Sequence, residues 1–135
     1  MLTSKTEVRI RYAETDQMGY VYYGNYAQFF EIGRVEALRS LGYTYRFMEE
    51  NGVMMPVAHM DIDYHKPAKY DDLIQISTFI KSMPTVKMVF EHEIHNEAGL
   101  LLATGKTILV FVDMSNQKIT RSPEFLIQAL APHFA

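Results

Sequence analysis

The sequence predicts an α+β domain in which one long helix lies against an antiparallel sheet. Two observations point there. A single run, Tyr26 to Leu41, carries apolar residues at helical spacing. Five strand-like runs surround it, one before and four after, and the later ones are joined by turns too short for parallel crossovers. At 135 residues, 48% hydrophobic and 21% charged, the chain fits one domain spanning residues 1–135.

Each element has its own signal. In Thr6–Tyr12, Val8, Ile10 and Tyr12 alternate with Glu7, Arg9 and Arg11, as a half-buried strand requires. Tyr26, Phe30, Gly33, Ala37 and Leu41 then recur every three or four residues and share one helical face, widened by Phe29 and Leu38. Asn25 with Gln28 reads as a capping box, and Gly42 as the stop. A short second helix fits Thr44–Asn51. Beyond Val53 the period shortens to two, with a clear alternation at Asp61–Tyr64. Ile74, Ile76, Thr78 and Ile80 share one strand face, and Val86, Met88, Phe90 and Ile94 another. The run from Leu100 to Asp113 is apolar on both sides over much of its length, as a central strand is. Ser122 and Pro123 open a closing helix that runs to Ala131.

Composition removes several function classes. No apolar run approaches the ~20 residues of a bilayer crossing, and the charged N-terminus does not read as a secretory signal. The expected location is therefore the cytoplasm. Cys is absent, which excludes disulfides, thiolate chemistry and Cys-type metal sites. With a formal charge of −3 and interspersed signs, the chain lacks the basic face that nucleic acid requires. His92 and His95 form H-x-x-H, but three residues apart on a strand they face opposite ways, so no metal site is expected.

The chemistry-bearing stretch is YAETDQMGYVYYGNY, residues 12–26. Asp16 sits in a turn-like run about ten residues before a helix. An acid there suits an ordinary turn or cap. It also suits catalysis, because a helix N-terminus offers free N–H groups to a carbonyl becoming an oxyanion, and a nearby carboxylate can attack that carbonyl or activate water.

The wording of the stretch closely resembles the signature of the 4-hydroxybenzoyl-CoA thioesterase branch of the hotdog-fold acyl-CoA thioesterases. Asp16, Gly19, Val21, Tyr23, Asn25 and Tyr26 meet the pattern of acid, Gly, Tyr and Asn-Tyr at the family spacing. YHKPAKYDDLI, residues 64–74, and the closing ATGKTILVFVDMSNQKITRSPEFL extend the resemblance over nearly the whole chain. It implies a hotdog fold, a central helix wrapped by a five-stranded antiparallel sheet. It implies hydrolysis of acyl-CoA, or acyl-carrier-protein thioesters, to free acid and thiol without a cofactor. Asp16 then matches the catalytic nucleophile or general base, the backbone N–H of Tyr23 the donor to the thioester carbonyl, and Glu31 a helix carboxylate whose role varies between branches. Gly19, Val21, Gly24, Asn25 and Tyr26 would contact substrate.

The resemblance has gaps. Many members carry His or Pro where this chain has Gly24. Some grip the CoA phosphates with Arg near the turn written here SMPTVK, which offers only Lys81 and Lys87; Lys87 is the expected phosphate contact, with Lys66 and Lys69 as other candidates. Each lysine also reads as ordinary surface charge. The five tyrosines of residues 12–26 suit an acyl pocket or a dimer seam, and six of the methionines suit a tunnel or a core. The family implies a homodimer or homotetramer. Two other readings stay open: a hotdog hydratase or dehydratase, which normally needs a catalytic His, and a non-catalytic acyl-thioester binding module.

Overall fold

The computed structural model describes residues 1–134. Strand β1, Leu2–Arg9, leads through a loop into helix α1, Tyr26–Ser40, and the short helix α2, Tyr45–Glu50. Six strands follow: β2 (Val53–Met54), β3 (Val57–Tyr64), β4 (Leu73–Ile80), β5 (Lys87–His95), β6 (Leu101–Asp113) and β7 (Lys118–Thr120). Helix α3, Glu124–Leu130, closes the chain. Five long strands form an antiparallel sheet in the order β1-β4-β5-β6-β3. The expected five-stranded sheet is thus present, extended at the far end of β6 by the short β2 and β7. At 13 residues, β6 is long enough to take β5 and β7 along one side and β3 and β2 along the other.

Several boundaries differ from expectation. The first strand starts at Leu2 and stops at Arg9, and Tyr12 lies outside it and is exposed. The register explains this: all eight residues Leu2–Arg9 pair with Ile80–Leu73, and the chain leaves the sheet directly after Ile10. Val86 is exposed and precedes β5, whose buried face is Met88, Phe90, His92 and Ile94. At α3 the capping position is occupied by Pro123, not Ser122; the Ser122 hydroxyl makes no cap and its N–H is spent on Thr85 O. Helix α2 begins as expected, with Thr44 Oγ1 accepting the Phe47 N–H at 3.0 Å. Gly42, at φ +89°, follows the end of α1.

Helix α1 packs its Tyr26, Phe29, Phe30, Gly33, Ala37 and Leu38 face onto the sheet. Two glycines allow the close approach. A Cβ on Gly33 would collide with Thr78 Oγ1, and one on Gly105 in β6 would strike the Phe30 ring. The core divides into two apolar clusters, one around Phe30, Ile76 and Ile94, the other around Leu38, Phe90 and Leu109. A buried polar band separates them. His92 Nδ1 meets Thr78 Oγ1 at 3.2 Å, His92 Nε2 meets Thr107 Oγ1 at 2.6 Å, and Arg34 donates to Thr107 Oγ1 and to the Tyr45 hydroxyl. Phe30 stacks on the His92 ring at 4.4 Å. Burial, aided by the Arg34 cation, pulls the His92 pKa down to about 3, so this ring is neutral.

Candidate active site

The loop between β1 and α1 is pinned at its base. Ile10 N–H donates to Asp72 O at 2.9 Å and Asp71 N–H to Ile10 O at 3.0 Å. A 3-10 turn, Tyr12–Glu14, then buries Glu14, whose carboxylate accepts the Arg11 N–H at 2.8 Å and faces Arg11 Nε at 3.4 Å. The Glu14 carbonyl does more: it accepts both the Tyr22 N–H and Asn25 Nδ2, each at 2.9 Å. Asn25 is therefore not the side-chain cap expected. Its amide donates back to Glu14 and ties the helix start to the loop entrance.

Between these ties lies Asp16. Its N–H donates to Tyr20 O at 2.8 Å, and its carbonyl accepts the Gly19 N–H at 3.0 Å. Gly19 takes φ +79°, where a side chain would be strained. Asp16 Oδ1 accepts the Met18 N–H at 2.9 Å and the Tyr20 N–H at 3.3 Å. Oδ2 has no hydrogen-bond partner among the described residues. One carboxylate oxygen thus orients the group and the other stays available.

The helical path begins before α1, with a 3-10 turn at Tyr23–Asn25 that passes directly into Tyr26. No described residue accepts the N–H of Tyr23. A Cβ on Gly24 would lie 2.7 Å from the exposed Tyr22 ring, which would have to turn aside for a larger residue. Asp16, Val21, Tyr23 and Tyr26 share one pocket of about 290 Å³, which Tyr64 and Lys66 help to wall. Tyr64 donates its hydroxyl to Tyr23 O at 3.1 Å and sets its ring edge-on to Tyr26 at 5.1 Å. Burial raises the pKa of both Tyr26 and Tyr64, which keeps these phenols protonated donors. On its other side Asp16 borders a second depression, shared with Tyr12, Tyr22 and Asn25.

Not every expected residue joins them. Glu31 is exposed on α1 beside Gln28 and Ile32, outside the Asp16 pocket. Lys87 opens β5, opposite Val110, and is likewise not a pocket residue. A larger depression, about 690 Å³, lies over the outer face of β1, β4 and β5 and contains none of the loop. Two contributors escaped the sequence. Nothing in the sequence marks Glu14, and Tyr64 reads there only as a member of a strand alternation and the first residue of YHKPAKYDDLI. His92 had a visible signal, a polar residue amid Met88, Phe90 and Ile94 on one strand face. His92 is buried while His95 stands near Glu93 at 3.8 Å on the outer side, so the two histidines do diverge.

The family model of the thioesterase-like superfamily matches residues 10–130. The chain belongs to this superfamily. Its residues are 39% identical over 118 positions to the provisionally named acyl-CoA thioesterase YneP of Bacillus subtilis, covering 87% of this chain and 86% of that protein. They are 32% identical over 120 positions to the acyl-CoA thioester hydrolase YbgC of Escherichia coli, covering 89% and 90%. Among solved structures, a DHNA-CoA thioesterase from Staphylococcus aureus superposes with a TM-score of 0.88 at 34% identity, covering 100% of this chain and 97% of that one. The α+β architecture of this superfamily member is the hotdog arrangement of those thioesterases, one long helix on a large antiparallel sheet.

Proposed function

We propose that the protein hydrolyses acyl-CoA thioesters to free acid and thiol, with Asp16 and the Tyr23 N–H as its reacting groups. The observation that carries this reading is that Asp16 and Tyr23 line one pocket, and that among the described residues one Asp16 oxygen and the Tyr23 N–H, at the first turn of a helical segment, have no hydrogen-bond partner. The thioester carbonyl oxygen accepts the Tyr23 N–H, which stabilises the negative charge that grows there on attack. Asp16 Oδ2 then either adds to the carbonyl carbon or removes a proton from a water that adds. In the first course the thiolate leaves, and water hydrolyses the resulting acyl–Asp16 anhydride. In the second, the tetrahedral intermediate expels the thiolate directly. Names of relatives at 39% and 32% identity support the substrate class.

The catalytic unit in this proposal is a homodimer, alone or within a tetramer. Strand β3 pairs only with β6 among the described residues. Its Val57, Met60 and Tyr64 stand opposite core-facing Leu109, Thr107 and Ala103, yet are exposed. A second copy laid along this edge would cover them and enclose the Tyr64 side of the pocket. No helix among the described residues is long and apolar enough to cross a membrane, and a cysteine-free chain suits the cytoplasm.

The test is thiol release from a panel of acyl-CoAs, with Asp16→Asn beside the wild type. Asn keeps an oxygen for the Met18 and Tyr20 N–H groups, so the loop survives while the carboxylate is lost. Turnover falls by about 100- to 10,000-fold if Asp16 is nucleophile or base. Unchanged turnover with native circular dichroism removes the mechanism. Label in the Asp16 side chain after a single turnover in 18O-water identifies the anhydride course with water entering at Cγ, and trapping of an acyl–Asp16 adduct identifies it where water enters at the acyl carbon.

A further inference from the structure

The Tyr23 N–H belongs to a 3-10 turn, and so short a turn is held by few bonds of its own. Two peptide planes meet at Tyr23. In the first, Tyr22 O accepts the Asn25 N–H at 2.9 Å. A trans peptide is planar, so this bond also orients the Tyr23 N–H, which points the opposite way. In the second plane, Tyr23 O accepts the Tyr26 N–H and, at 3.1 Å, the Tyr64 hydroxyl. The Asn25 and Tyr26 bonds are local. Among the described residues only the Tyr64 hydroxyl ties either plane to the sheet. Tyr64 comes from a paired strand position, opposite Ala103 of β6. Its ring stands edge-on to Tyr23 at 6.5 Å and to Tyr26 at 5.1 Å, two contacts that limit the swing of the phenol. A strand also presents such a group more precisely than a loop does.

We propose that Tyr64 is a positioning residue of this site: its hydroxyl, donated to Tyr23 O, fixes the turn and with it the direction of the Tyr23 N–H that meets the thioester oxygen. The proposal rests on the thioesterase reading given above. Tyr64 transfers no proton in this role, and the reacting groups remain Asp16 and the Tyr23 N–H. The negative charge on the thioester oxygen is larger in the transition state than in the bound substrate. A misdirected N–H therefore costs turnover more than it costs binding.

The experiment compares acyl-CoA hydrolysis by the wild type and by Tyr64→Phe, which keeps the ring and deletes only the hydroxyl. Tyr70→Phe, at an exposed phenol outside the pocket, is the control. We expect kcat to fall about tenfold in Tyr64→Phe, with KM within about twofold and a pH profile of unchanged shape. Amide hydrogen exchange should quicken at the Asn25 and Tyr26 N–H groups, whose bonds form the turn. Tyr64 also stands exposed on β3, so each protein is assayed across a dilution series. A loss that recovers at high protein concentration belongs to self-association and overturns the proposal. An unchanged kcat overturns it too, and a rise in KM alone would make the hydroxyl a substrate contact instead. Loss of one limb of the pH profile would make it a proton donor in the reaction, and a fall matched by Tyr70→Phe would make it unspecific; either outcome overturns the proposal. If the wild type cleaves no thioester, the reaction reading fails by itself, and amide exchange then decides the tie. Faster exchange at Asn25 and Tyr26 in Tyr64→Phe upholds it, and equal exchange overturns it.

Discussion

At the residue scale, Asp16 and His92 show how hydrogen bonding divides labour between an open and a closed side chain. Asp16 spends one oxygen on two loop N–H groups and keeps the other, whereas His92 commits both ring nitrogens to Thr78 and Thr107. Closure makes His92 a liability in acid. The unfolded chain takes up a proton below the ordinary His value of 6.5, while the folded state refuses it down to about 3. Between those values the unfolded state binds more protons, so His92 removes about 1.4 kcal/mol of stability per pH unit as pH falls. His92→Gln, which cannot titrate, therefore gives a shallower loss of urea midpoint between about pH 6 and pH 4, despite a lower stability at neutral pH. Equal slopes for both proteins would remove His92 as the source. Asp16 itself was legible because its neighbours in sequence are its neighbours in space. Asn25 misled for the opposite reason: a cap is a local inference, and its real partner, the Glu14 carbonyl, is eleven residues away.

At the element scale, α1 is positioned by what it lacks at two points of contact. Helix propensity alone would favour Gly33→Ala by about 1 kcal/mol. The added methyl, however, would displace Thr78, lie 3.0 Å from Ile76 Cγ2 and break the Thr78–His92 hydrogen bond. Overpacking of that kind costs about 1–3 kcal/mol, so Gly33→Ala should lower the urea midpoint; a rise would show that the helix can lift from the sheet freely. At α2, Thr44→Ala removes the acceptor for the Phe47 N–H and should cost about 1 kcal/mol, read by the same denaturation. The boundaries of α1 and α2 were legible through Gly42 and Thr44, whose effects are local. The buried Arg34 was hidden, because on a helix it reads as a surface charge. Only packing reveals that Thr107 and Tyr45 receive it.

At the scale of the whole molecule, the sheet leaves β3, among the described residues, with one paired side and an uncovered apolar face. Met60→Lys puts a charge in the middle of that face and should weaken self-association by at least about tenfold, measured by sedimentation velocity across a dilution series. If the variant sediments as the wild type does, β3 is not the seam. The sheet as a whole was legible from period-two runs and short turns. The two-residue β2 and three-residue β7 were not, since so few residues carry no period and depend on the overlong β6 for partners. That same strand sets the timing of folding in a growing chain. As β6 is made after all its long neighbours, β5 lacks one of its two partners until Leu101–Asp113 leaves the ribosome, and β3 has none in the sheet. The first hundred residues therefore emerge as an incomplete sheet with the β5 edge and all of β3 unpaired, and a truncation before β6 should yield an aggregating fragment, not a smaller folded domain.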